Sequence, residues 1–125
     1  MPELTPEQVE TLTELAMGCA RRGDSKTLVD LIDQGMPVDL QDAAGNTALM
    51  LAAYSGHAGA VQALIRHGAD VDLCNARNQS PIAGALFKGE DEIVRLLRDA
   101  GADLDAGTPT ARATAEMFGQ KHLLD

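Results

Sequence analysis

Residues 34–65, QGMPVDLQDAAGNTALMLAAYSGHAGAVQALI, are followed in register by residues 67–97, HGADVDLCNARNQSPIAGALFKGEDEIVRLL, and then by AGADLD at residues 100–105. Gly35, Gly68 and Gly101 are spaced by 33 residues, and so are Gly23, Gly56 and Gly89. A fixed period of this length marks a chain of stacked units, none of which buries its apolar face alone. Within the period, Leu28/Leu31/Ile32, Val61/Leu64/Ile65 and Val94/Leu97 fall at the i, i+3, i+4 spacing of a helix packed on one side. A second, shorter helix precedes each. Thr47 to Gly56 opens on a capping residue and stops at a glycine, and Ser80-Pro81 repeats the opening signal with proline where a missing N–H costs nothing. Between the helix pairs, Gly68 to Asn78 carries the turn formers of a β-hairpin-like loop.

The chain resembles the ankyrin repeat family, whose T-P-L-H-x-A motif it restates as Thr47-Ala48-Leu49-Met50-Leu51-Ala52 and Ser80-Pro81-Ile82-Ala83-Gly84-Ala85. The resemblance implies an all-α solenoid of helix-turn-helix units joined by hairpin-like fingers. We expect a single domain over residues 1–125 in four units: 5–38 as the N-terminal cap, 39–71, 72–104, and a truncated C-terminal cap at 105–125. Thr5-Pro6-Glu7-Gln8 reads as a helix start with a capping box. The fourth unit departs from the period, because Gly89 to Gly119 is 30 residues and its finger must be three shorter. Aligning Thr110 to Gly119 with Thr47 to Gly56 matches Ala115 to Ala52 and Ala85 and puts Arg112 on an outer, wetted end. A start at Thr108-Pro109 is the competing register.

Composition narrows the function. Among 125 residues, 45% are hydrophobic and 23% charged, as in ordinary globular chains, so a disordered or collagen-like class is excluded. Only one Tyr and two Phe accompany 12 glycines, so the core must be aliphatic and closely packed. A net charge of −9 repels nucleic acid and anionic membranes. The opening MPELTPEQVE has neither a basic nor an apolar leader region, and no apolar run is long enough to span a bilayer, so a cytoplasmic protein is expected. Cys19 and Cys74 lack CxxC spacing and read as ordinary reduced side chains.

No catalytic motif is present: GxSxG, P-loop, GxGxxG and HExxH are all missing. His57 follows Gly56 in the Gly-His pair common between ankyrin helices and reads as a structural hydrogen-bonding group; His67 complements a helix C-terminus. His122 completes three scattered histidines with no nucleophile beside them. Glu90-Asp91-Glu92 suits helix capping. Asp70, Asp72, Asp103 and Asp105 recur near turns without calcium-loop spacing. No cofactor or metal is expected, and no enzyme.

Binding to a protein partner is the activity the resemblance implies, through a concave surface of finger tips and the residues before each inter-helix glycine. On this sequence those are Arg21, Arg22, Tyr54, Ser55, Phe87, Lys88, Met117 and Phe118, with Ala43, Ala44, Asn46, Ala76, Arg77 and Gln79 on the fingers. All three aromatic residues of the chain fall in this set, and it contains four of the ten basic residues and no acid. Aromatic and arginine side chains are enriched at binding hot spots. The same rings can instead fill gaps between units, and the sequence leaves both readings open. A partner segment with carboxylates and apolar anchors is expected, with the chain a monomer or a weak dimer. A homo-oligomeric subunit and a small-molecule-binding or hydrolytic protein are the alternatives.

Overall fold

The computed structural model describes residues 3–125 and contains seven α-helices and one 3-10 turn among them. In chain order these are α1 (Pro6–Arg22), α2 (Ser25–Asp33), α3 (Ala48–Tyr54), α4 (Ala58–Arg66), α5 (Pro81–Phe87), α6 (Asp91–Asp99), α7 (Ala111–Met117) and the 3-10 turn Lys121–Leu123. The first helices form one row, α1 against α3 against α5 against α7, and α2, α4 and α6 form the other. This is the helix-turn-helix stack the period requires.

Side-chain caps start the helices where the sequence puts them. Thr5 and Gln8 form a complete capping box, with Gln8 N–H donating to Thr5 Oγ1 at 3.2 Å and Thr5 N–H donating to Gln8 Oε1 at 2.9 Å. Thr47, Ser80 and Thr110 each accept from the backbone N–H three residues on, at 3.2, 3.3 and 3.1 Å. The last of these settles the fourth unit: α7 starts after Thr110, and Ala115 is fully buried like Ala52 and Ala85. The Thr108-Pro109 start is overturned, because those two residues belong to the preceding finger. One expected cap is corrected. Glu90 occupies the N-cap position of α6 but its carboxylate makes no capping bond; Asp91 and Glu92 supply the negative charge in the first turn.

The core runs between the two rows and is as aliphatic as the composition requires. Leu49, Leu64, Ile82, Leu86, Ile93 and Leu97 are buried, and alanines at 16, 20, 52, 53, 85, 111 and 115 let the first helices approach closely. The fingers are turns without a strand ladder among the described residues. Asp42 Oδ1 accepts from Ala44 and Asn46 N–H at 3.0 and 2.9 Å, and at the 33-residue equivalent Asn75 Oδ1 accepts from Arg77 and Gln79 N–H at 3.0 Å each. Neighbouring fingers are sewn together by Ala76 N–H to the Ala44 carbonyl, 2.9 Å, and Thr108 N–H to the Asn78 carbonyl, 2.8 Å. At the finger bases, Asp39 accepts from Asp70 N–H and Asp72 from Asp103 N–H, at 3.0 and 2.7 Å. These aspartates bond backbone, as their spacing suggests, except Asp105, whose carboxylate takes Arg112 Nε at 3.0 Å on the wetted end.

Candidate binding face

The fingers and the first-helix row enclose a concave face with two adjoining hollows. The first, about 380 Å³, is apolar: Tyr54, Phe87, Met117 and Phe118 form its walls, Ala83, Gly84 and the buried Thr114 its floor, and Gln79, Thr108 and Pro109 its rim. Phe87 and Phe118 meet edge to face, with ring centroids 5.8 Å apart at 75°. The second, about 340 Å³, is more polar and is lined by Asn46, Asn75, Arg77 and Gln79 with Ala44, Met50, Leu51 and Tyr54. Tyr54 and Gln79 belong to both hollows. Lys88 Nζ lies 5.0 Å from the Tyr54 ring centroid, where the ring's electron-rich face attracts it.

The predicted residues separate into those that share this surface and those that do not. Asn46, Tyr54, Arg77, Gln79, Phe87, Met117 and Phe118 line the hollows, and Lys88 joins them through Tyr54. Ser55 is exposed at the end of α3 and touches neither hollow. Arg21 and Arg22 end α1, outside both. The Arg22 guanidinium folds back along its own helix, with Nη2 3.6 Å from Cys19 Sγ. Phe87 and Phe118 touch across two units, yet Phe87 stays 61% exposed and Met117 68%, so much of this apolar surface remains open to solvent. Arg21, Arg22, Arg77 and Lys88 take part in no ion pair among the described residues, whereas Arg98, Arg112 and Lys121 lie beside Asp99, Asp105 and Glu116.

Sequence reasoning missed the floor. Gly84 is the fourth residue after the Ser80 cap, where α3 has Leu51 and α7 has Thr114. A glycine inside an otherwise regular helical motif was the available signal. It is easily passed over because a site is usually sought among side chains.

Two of the three histidines bond backbone carbonyls. His57 Nε2 donates to the Arg21 carbonyl at 2.8 Å and ties the second unit to the first; His67 Nδ1 donates to the Ala63 carbonyl at 2.8 Å within its own helix. Burial raises the Cys19 and Cys74 thiols above their ordinary range, and nearby carboxylates add to it: Asp24 for Cys19, Asp72 and Asp70 for Cys74. Both shifts favour the protonated thiol over the thiolate. Among the described residues no three His, Cys, Asp or Glu side chains gather as metal ligands, and no helix is long and apolar enough to cross a membrane.

Comparison with known proteins agrees with the geometry. A family model for ankyrin repeats, in three copies, matches residues 16–108. An ankyrin repeat protein of Pseudomonas aeruginosa is 43% identical over 61 residues, 49% of this chain and 35% of that protein, so the match spans about a third of the relative's length. Repeats of this family are generally protein-interaction modules and generally not enzymes. The family match over most of the chain, the caps and glycines in 33-residue register, and the stacked helix pairs together mean that the chain belongs to the ankyrin repeat family.

Proposed function

We propose that this chain is a non-enzymatic protein-binding module, an adaptor, inhibitor or accessory protein that holds a partner segment on its concave face. The observation that carries this reading is the clustering of exposed large hydrophobics: Tyr54, Phe87, Met117 and Phe118 are four of the six such side chains among the described residues, and all four wall one hollow. A contiguous apolar patch with unpaired cations at its edge is the anatomy of an interaction site rather than of an ordinary wetted surface. Stacked units hold these side chains in place beforehand, so little ordering entropy is lost when a partner docks. The whole of 1–125 acts as one domain of four units, with 5–38 and 105–125 as caps, working as a monomer or weak dimer. Two free cysteines, one buried and one partly buried, suit a reducing, cytoplasmic setting.

The test is affinity capture with the native chain beside a Tyr54→Ala, Phe87→Ala variant whose circular dichroism remains native. Proteins retained by the native chain are expected to be lost from the variant, with affinity falling by about tenfold or more for a pair of hot-spot rings. Equal capture by both would move the interface off the concave face.

A further inference from the structure

We propose that the occupant of the concave face is a peptide segment carrying one carboxylate and one bulky apolar side chain, the apolar group seated over Gly84 and the carboxylate on Arg77. This rests on the concave-face reading above and specifies what that face recognises.

The seat exists because a side chain is missing. At the fourth position after the cap, α3 projects Leu51 onto the concave face, whereas α5 has Gly84 and leaves the floor of the apolar hollow bare. Packing does not demand that glycine. A Cβ at Gly84 would meet only Tyr54 Cδ1, at an ordinary 3.6 Å. Glycine inside a helix also costs stability relative to alanine, so the bare position runs against local helix preference. The first unit has the same vacancy at Gly18, but there the chain fills it from within, since a Cβ would lie 3.1 Å from Arg22 Nη1. Of the two bare positions, Gly84 alone opens into an apolar hollow walled by exposed rings. An outside apolar side chain fits it.

Charge selects the second feature of the occupant. Arg77 lines the adjoining hollow without an ion-pair partner, and Lys88 stands over the shared Tyr54 wall, on a molecule whose net charge is −9. A segment presenting a carboxylate to Arg77 gains a charge-assisted contact that the guanidinium can make with two parallel hydrogen bonds. One continuous segment can reach both seats, because Tyr54 and Gln79 line both hollows.

The experiment pans a phage library of random linear peptides on the full chain. Gly84→Leu, Arg77→Glu and the Tyr54→Ala, Phe87→Ala variant are panned in parallel after circular dichroism shows each to be folded. Gly84→Leu places in α5 the residue that α3 already accommodates, and Gly84→Ala serves as a second, milder filling. Enriched peptides are expected to share an acidic and a bulky apolar residue at one recurring spacing. Gly84→Leu should lower their binding by about tenfold, as for removal of a hot-spot pocket, and Arg77→Glu should erase the acidic preference while leaving the apolar one. Enriched peptides without that spacing, peptides indifferent to Gly84→Leu, or no enrichment over the Gly84→Leu background would each overturn the proposal. If the enriched peptides still depend on Tyr54 and Phe87, the concave-face reading survives that failure; if they ignore all three variants, it falls too. Concentration-dependent sedimentation abolished by Gly84→Leu would show a second copy in the groove and would also overturn it.

Discussion

Gly23 ends α1 in the left-handed conformation, φ 73°, and a Cβ there would stand 2.6 Å from His57 Nδ1. Gly89 ends α5 in nearly the same conformation, φ 71°, with nothing within 4 Å. The pair separates backbone strain from crowding. Gly89→Ala should cost about 1–2 kcal/mol, the penalty of a left-handed alanine. Gly23→Ala should cost about 1 kcal/mol more, because the imidazole must move and give up its bond to the Arg21 carbonyl. In a His57→Ala background that excess should vanish, leaving the two glycine substitutions equal by urea denaturation. An unchanged excess would mean that the ring yields without losing its bond. At this scale the sequence showed that a glycine is needed and that His57 is a bonding group. It did not show the acceptor, which lies 36 residues earlier and becomes a neighbour only when units stack. Gly84 was illegible for the opposite reason, since its effect is an absence between two helices.

At the scale of single elements, legibility followed locality. Caps at Thr5, Thr47, Ser80 and Thr110 involve partners three residues away and could be read directly. The cap of α2 is also local, yet it was not read, because Asp24 sits directly after a glycine stop with no intervening linker. Its carboxylate accepts from Thr27 Oγ1 at 2.8 Å and from Thr27 N–H at 3.2 Å, and these bonds hold it below the usual carboxylate range. A depressed folded value contributes stability that is present above the unfolded value and is lost as pH falls through the folded one. Asp24→Asn keeps a good capping oxygen without the titration. The wild type should therefore be the more stable of the two at neutral pH, and its advantage should shrink below about pH 4, as urea midpoints measured down the acid series would record. A constant difference across that range would assign the stabilising effect to geometry and not to charge. The fingers were legible as turns from the Gly68 to Asn78 stretch, but the bonds from one finger to the next were not. Whether an N–H finds a carbonyl 30 or so residues away depends on the rotation between units, which the repeat period does not encode.

The whole molecule is a row in which substantial helix contacts join only partners within a unit or between adjacent units. Its periodicity, and so its fold, was open to sequence reading, and the family resemblance named residues of the concave face, while the division of that face into two hollows was not legible, because it arises from the way several units share one curved surface. A row of this kind has a consequence for stability: local damage should stay local. The fourth unit offers the test. There the second helix is reduced to the 3-10 turn Lys121–Leu123, and Arg98 of α6 secures it by donating Nη1 to the Leu123 and Asp125 carbonyls at 3.0 and 2.7 Å. Arg98→Gln should remove those bonds at a cost of about 1–3 kcal/mol, felt as loosening of that turn and of α7 against it. Hydrogen exchange should then quicken in α7 while the amides of α3 and α4 keep their protection. Leu64→Ala, deep between the rows at 1% exposure, should cost about 2–5 kcal/mol and quicken exchange in α3 and α4 and in the units packed on them. If Arg98→Gln accelerates exchange equally from α1 to α7, the four units open as one cooperative block. The coupling between neighbours would then exceed the stability of any unit by itself, and the rigidity assigned to the binding face would come from the whole row instead of from the two or three units that line it.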